Sequence, residues 1–155
     1  PVDVPAYFGT VRRLLATGGV AVIHNIAVND RAAPVNRWVT RYIFPGGHLP
    51  SLPQLVRAAE AGGLKILDME IMRGHYAETL LHMRMRFLRN RDRITALYDE
   101  HFVRMWEFYL AGCEYFFRCQ HGMVVQLRLS DDHKAVPESR DYITELETEF
   151  RDRLC

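Results

Sequence analysis

A chain of 155 residues, 48% apolar and 25% charged, is long enough for one ordinary domain with a core of its own. A formal net charge of +1 gives no overall field toward nucleic acid, and no apolar run approaches the ~20 residues of a membrane-spanning helix. Cys113, Cys119 and Cys155 show no CxxC spacing, so neither a disulfide framework nor a zinc site is expected. With no secretory leader read at its start, the chain is expected to be a soluble protein of a reducing cytoplasm.

Pro5 to Ala16 places Tyr7, Val11, Leu14 and Leu15 at helical spacing, and Gly18-Gly19 stops the helix. Gly19 to Val28 is apolar and β-branched, the pattern of a strand buried on both faces. Asn29 to Pro34 reads as a loop, and Arg37 to Phe44 as a short helix stopped by Pro45-Gly46-Gly47. Ser51-Leu52-Pro53-Gln54 has capping-box spacing with Pro in the first turn, opening a helix that should end at Gly62-Gly63.

Leu64 to Met72 reads as a second strand, and helical sequence follows from Tyr76 to Arg91. From about Ala96 to Arg118, Phe102, Met105, Trp106, Tyr109, Leu110, Cys113, Phe116 and Phe117 recur at intervals of three and four, giving one broad apolar helix face. Gly122 to Ser130 is a third strand. Glu138 to Leu154 reads as a terminal amphipathic helix with Ile143, Leu146, Phe150 and Leu154 in its stripe. Strands alternating with helices argue an α/β fold.

Three strands make a small sheet for such a fold and leave its faces and edges poorly covered. Further strands are therefore expected from a longer polypeptide or from a partner. Neither GxGxxG nor a P-loop occurs in the sequence. The seven histidines, His24, His48, His75, His82, His101, His121 and His133, form no HxxxH or HExxH group, so no metal is expected. Arginine far outnumbers lysine, which occurs only as Lys65 and Lys134. Phosphate recognition or a genome rich in G and C would each account for that bias.

Four blocks carry a resemblance. Leu14-Leu15 is followed by Gly18-Gly19-Val20 and Ile23-His24-Asn25-Ile26, and then comes the run from Tyr42-Ile43-Phe44-Pro45-Gly46-Gly47 to His48-Leu49-Pro50-Ser51. His75-Tyr76-Ala77-Glu78-Thr79-Leu80 comes next, and Tyr109-Leu110-Ala111-Gly112-Cys113 with Phe117-Arg118 closes the set. In this order they resemble the C-terminal portion of cyclopropane-fatty-acyl-phospholipid synthases and mycolic acid cyclopropane synthases.

The resemblance implies the C-terminal part of a class I S-adenosylmethionine-dependent methyltransferase, a Rossmann-like α/β fold. Residues 1–130 would supply its last three strands, with a helical insertion over about 74–120 before the final strand. Residues 131–155 would form a terminal extension. The glycine-rich methyl-donor loop would lie upstream, so no cofactor-binding residue is expected within this chain, and the chain by itself is expected to be inactive.

The implied reaction transfers a methyl group from S-adenosylmethionine to the cis double bond of an unsaturated phospholipid acyl chain. Loss of a methyl proton then closes a cyclopropane ring, with bound bicarbonate as the base. The resemblance gives His24, the backbone N–H of Ile26 and the hydroxyl of Tyr76 to the bicarbonate site, with His24 and Tyr76 as catalytic residues. Read without it, a histidine in an apolar strand is more often a satisfied core residue, and Tyr76 a helix-end tyrosine. Phe44, Trp106, Tyr109 and Phe116 either line an acyl-chain channel or are plain core, and Cys113 is assigned to packing.

The basic residues Arg84, Arg86, Arg89, Arg91 and Arg93 either meet anionic headgroups or form a solvated helix face. Expected partners are the lipid acyl chain, the inner face of the membrane as a peripheral contact, and an N-terminal half or a second copy, with no nucleic acid. Two other outcomes stay open: a non-catalytic subunit of the same descent, and a sister lipid methyltransferase making branched or methoxy products.

Overall fold

The computed structural model describes residues 3–29 and 32–154. Helix α1 (Val4–Leu14) begins where the Asp3 carboxylate accepts a hydrogen bond from the Ala6 N–H at 3.1 Å, the N-cap arrangement that satisfies an otherwise orphaned donor. Strand β1 (Ala21–Val28) follows. Ala33–Pro34 (β2) and His48–Leu49 (β3) form a small antiparallel pair flanking α2 (Arg37–Tyr42). Two residues carry no legible alternation, so this pair was not anticipated; β2 falls within Asn29 to Pro34, expected to be a loop, of which Asp30 and Arg31 lie outside the described residues.

Helix α3 (Leu52–Ala61) starts with the Ser51 N–H donating to Gln54 Oε1 at 3.0 Å, as the capping spacing predicts. Its end lies hard against α1. A Cβ on Gly62 would come within 3.1 Å of the Phe8 backbone, so a larger residue would push the two helices apart by a few tenths of an ångström.

Strand β4 (Lys65–Met72) leads into α4 (Gly74–Arg89). The sequence reading ran this helix to Arg91 and opened the next near Ala96. Asn90 instead ends α4 and a separate helix, α5 (Arg91–Leu97), fills the interval. Helix α6 (Glu100–Cys119) is capped by Asp99, which accepts from the Phe102 N–H at 2.6 Å. Strand β5 (Gly122–Ser130) has the predicted bounds, and α7 (Asp141–Leu154) begins slightly later than expected. Gly122 is dictated by packing: an added Cβ would sit 2.3 Å from the Phe116 ring.

The main sheet has the order β1-β5-β4, with β5 antiparallel to both neighbours. The last strand in the chain is thus the central one, and β1 and β4 run parallel to each other on either side of it. One face packs on α1 and α3 through Phe8, Leu55, Ala59, Ala27, Val125 and Leu127. The other is covered over only part of its length, where Val124 meets Ala77 and Leu80 of α4 and Leu110 and Phe117 of α6.

A strand buried on both faces was the expectation for β1. The structure corrects it. Val22 is 59% exposed and His24 is also exposed, because β1 is an edge strand covered on one side only. In β4 the pairing shifts between Ile66 and Asp68, leaving Leu67 as the extra residue of a bulge. That shift lets Ile66 and Met69, three positions apart, pack against the same core.

Candidate functional site

The antiparallel register builds the open face as cross-strand rows. Ile26, Val124 and Met72 form a first row beneath the α4–α6 cap. His24, Gln126 and Glu70 form the second, and Val22, Arg128 and Asp68 the third. The face therefore passes from apolar to polar within two rows.

In the second row the Gln126 side-chain N–H donates to Nδ1 of His24 at 3.1 Å. An imidazole that accepts at Nδ1 carries its hydrogen at Nε2 when neutral. In the third row Arg128 and Arg140 both pair with Asp68, at 3.1 and 3.0 Å, and the Arg128 guanidinium lies 5.5 Å from the centre of the Tyr142 ring. These contacts tie the start of α7 to the sheet.

His24 does not stand at the carboxyl end of its strand, the edge where open α/β sheets place ligands. It is the fourth of eight residues, in mid-strand on the open face. The edge donors can be read from the hydrogen bonds at the strand's end. The Val28 N–H turns away from β5 and donates to the Pro50 carbonyl at 3.0 Å. Alternation along an antiparallel strand then directs the N–H groups of Ile26, His24 and Val22 to the same outer edge.

Tyr76, in the first turn of α4, meets the Phe117 ring edge-to-face with centroids 4.8 Å apart and belongs to the same cluster as Ile26. Tyr109 and Cys113 complete this group. Burial is the main influence that pushes the Tyr109 hydroxyl well above its ordinary value, with neighbouring Cys113 and Tyr76 adding to it. Burial also raises the Cys113 thiol, against a small lowering by its hydrogen bond to Tyr109. Both groups hold their protons at neutral pH. Cys113 is thus an inert packing thiol by its surroundings.

The four proposed channel residues separate. Trp106, Tyr109 and Phe116 pack at the rim of the cluster that holds Tyr76. Phe44 reaches it from outside, largely exposed, with its ring 6.2 Å from that of Tyr109. Gln126 and Glu70 went unnoticed in the sequence as neighbours of His24. A signal existed in Gln126, the polar residue interrupting the apolar run of β5, but strand order is needed to place it beside a histidine one hundred residues away.

Charge fixes the cap. Glu114 of α6 accepts from Arg84 of α4 at 3.0 Å and from Arg118 at 2.9 Å, and Arg118 also reaches Glu78 at 2.8 Å. Burial alone would raise the Glu114 carboxyl. The hydrogen bonds from Arg118 and Arg84, with their charges, outweigh it and hold the group below the ordinary carboxylate range.

Two groups implied by the resemblance can be tested against these residues. A small oxyanion suits a set consisting of an imidazole N–H, an edge backbone N–H and a phenol. An adenosyl sulfonium donor would call for a glycine-bearing turn after a sheet strand, which the described residues do not form. Their glycines with positive φ are Gly18, Gly46 and Gly63, and none links the carboxyl end of a sheet strand to a following helix.

The three-stranded sheet with its interposed helical cap is the C-terminal part of an S-adenosylmethionine-dependent methyltransferase fold. Solved structures of the cyclopropane synthases MmaA2 and CmaA1, the former from Mycobacterium tuberculosis and the latter complexed with SAH and CTAB, superpose with TM-scores of 0.75 and 0.74, at 22% and 29% identity. Each match covers 81% of this chain and 49% of the solved one.

The model of the mycolic acid cyclopropane synthetase family matches residues 2–127, and the chain belongs to that family. It is 40% identical over 131 residues to the tuberculostearic acid methyltransferase UfaA1 of Mycobacterium tuberculosis, a match covering 81% of this chain and 31% of the relative. It is 32% identical over 130 residues to the cyclopropane-fatty-acyl-phospholipid synthase of Escherichia coli, covering 84% of this chain and 34% of that enzyme. The chain therefore spans about a third of the curated relatives' length and about half that of the solved structures.

Proposed function

We propose that this chain is the lipid- and bicarbonate-facing part of an S-adenosylmethionine-dependent enzyme that converts the cis double bond of an unsaturated phospholipid acyl chain into a cyclopropane ring. The family match over residues 2–127 carries the proposal. The open face supports it, because the histidine, edge amide and phenol lie where apolar cap gives way to polar sheet.

An unactivated alkene is a poor nucleophile, so methyl transfer to it needs a dry site that aligns donor and acceptor. Trp106, Tyr109 and the Tyr76–Phe117 pair would wall that site and exclude water. His24, held by Gln126, would donate from Nε2, with the Ile26 N–H and the Tyr76 hydroxyl, toward a small anion. Bicarbonate held by these groups would supply the base that removes a methyl proton. The sulfonium donor would be held by a glycine-bearing region supplied from outside this chain.

A second reading is methyl transfer without ring closure. The 40% identical relative is named a methyltransferase, and so is a 34% identical protein of Pseudomonas putida, called a probable fatty acid methyltransferase.

One experiment separates these readings. The chain, joined to or reconstituted with a donor-binding half, is given unsaturated phospholipid and donor with a trideuterated methyl group. A product with two deuteriums and no remaining double bond has closed the ring, whereas an unclosed product keeps a double bond, with three deuteriums where the cation loses a chain proton and two where it loses one from the methyl group. His24→Ala is expected to lower turnover by about a hundredfold or more, the size of a general acid–base contribution. Unchanged turnover would remove His24 from the site, and absence of any alkylated lipid would favour a non-catalytic subunit. Calorimetric titration of the chain alone with S-adenosylmethionine is expected to show no binding.

A further inference from the structure

Of the five arginines on α4 and α5, Arg84 is paired with Glu114, and Arg91 lies against Glu100 and Glu107. Arg86, Arg89 and Arg93 are exposed and have no acidic partner among the described residues. The cap thus neutralises its inward arginines and leaves an outward set unbalanced.

Arg86 and Arg93 stand at the rim of a hollow of about 570 Å³ between α4, α5 and α6, floored by Phe87, Trp106 and Leu110. Leu97 lines the same hollow and is 68% exposed. Tyr98 beside it is 66% exposed. Its ring stacks on Phe102 at 4.4 Å, and Phe102 in turn lies parallel to Trp106 at 5.9 Å. An aromatic ladder therefore runs from the exposed tip to the floor. A solvated face has no use for an exposed leucine and tyrosine beside an apolar hollow.

We infer that the α4–α5–α6 cap docks on the surface of an anionic phospholipid bilayer. Arg86 and Arg93 take headgroup phosphates, Leu97 and Tyr98 enter the interface, and the hollow accepts the upper part of one lipid. Charge complementarity selects this occupant. Unpaired guanidiniums around an apolar depression match a ligand that is anionic at one end and hydrocarbon at the other. The choice of a bilayer over other polyanions rests on the lipid-modifying function proposed above.

The test is sedimentation of the 155-residue chain with phosphatidylcholine vesicles and with vesicles that also contain phosphatidylglycerol. Binding to the anionic vesicles alone, weakening with salt, is expected. Each arginine near a charged surface contributes about a fivefold factor, so Arg86→Glu with Arg93→Glu should weaken binding by about thirtyfold or more. Arg57→Glu, on α3, should leave it unchanged. Leu97→Asp should weaken binding with all arginines intact. If the double reversal fails to fold, Arg86→Gln and Arg93→Gln are tested singly, each expected to lose about fivefold.

In a Trp38→Phe background, lipid-borne spin labels should quench the remaining Trp106. Equal binding to neutral vesicles, no effect of the arginine changes, or tighter binding to a short RNA duplex than to vesicles would each overturn the inference. In the reconstituted enzyme the arginine changes should depress activity on vesicles and spare activity on detergent-dispersed lipid. Equal loss on both would assign the arginines to catalysis instead. Vesicle binding by a chain that never alkylates lipid would leave the docking surface standing and remove the function proposed above.

Discussion

The two faces of the central sheet are built from the same three strands and meet opposite fates. Toward α1 and α3, Val125, Leu127 and Leu129 are sealed beneath Phe8, Leu55 and Ala59. Toward the cap, one row of side chains is covered and the next two carry His24, Gln126, Glu70, Arg128 and Asp68. Alternation in a strand separates adjacent residues onto different faces, so neighbours in sequence answer to different demands. One face holds the fold together. The other exposes polar and ionisable side chains.

That contrast is breakable by substitution. Val125→Asp would place an uncompensated carboxylate at a position with no exposed surface, a change costing about 3–5 kcal/mol, and the cooperative thermal transition seen by circular dichroism is expected to be lost. A folded variant would show that the sealed face is looser than its packing implies.

The effect at the cap is smaller and depends on pH. The depressed carboxyl of Glu114 contributes stability that is present above the ordinary carboxylate pKa of about 4.3 and is lost as pH falls through the lower value in the folded protein. Glu114→Gln should therefore lower Tm at neutral pH, with the deficit shrinking as the solution is acidified through that range. A deficit independent of pH would mean that the carboxylate's charge contributes nothing to holding α4 on α6.

The smallest effect is expected at His24, where Ala should change stability by no more than about 0.5 kcal/mol in denaturant titrations. A larger loss would mean that His24 holds the fold together rather than standing free on the open face.

Periodicity and punctuation made most of the elements legible before any coordinates. Gln54 at the third helical position, Pro53 in the first turn and Gly62-Gly63 at the end bounded α3 by local chemistry alone. The apolar pattern of residues 122–130 gave β5 with its observed ends. Local pattern does not report partners. Nothing around residues 21–28 says that β1 lies at an edge, which is why its open face was read as buried. The break at Asn90 lacked the Gly or Pro that marks a stop, so α5 was missed.

A resemblance in sequence singled out His24, Ile26 and Tyr76; in the structure Ile26 and Tyr76 share one cluster and His24 lies one row away. The row His24–Gln126–Glu70 required the register. The unbalanced arginines required knowledge of which of the five were already paired.

The central position of β5 has a consequence for the order of events during synthesis. β1 and β4 have no hydrogen bonds with each other, and every ladder among these three strands waits for residues 122–130, the last of the three in chain order. Until then two apolar segments remain unzipped in a nascent chain, separated by long, largely helical connections that must close before they pair. A polypeptide stalled before Gly122 would lack the β1-β5-β4 ladders and keep only its helices and the short β2–β3 pair, making it a natural client for chaperones until one late strand arrives.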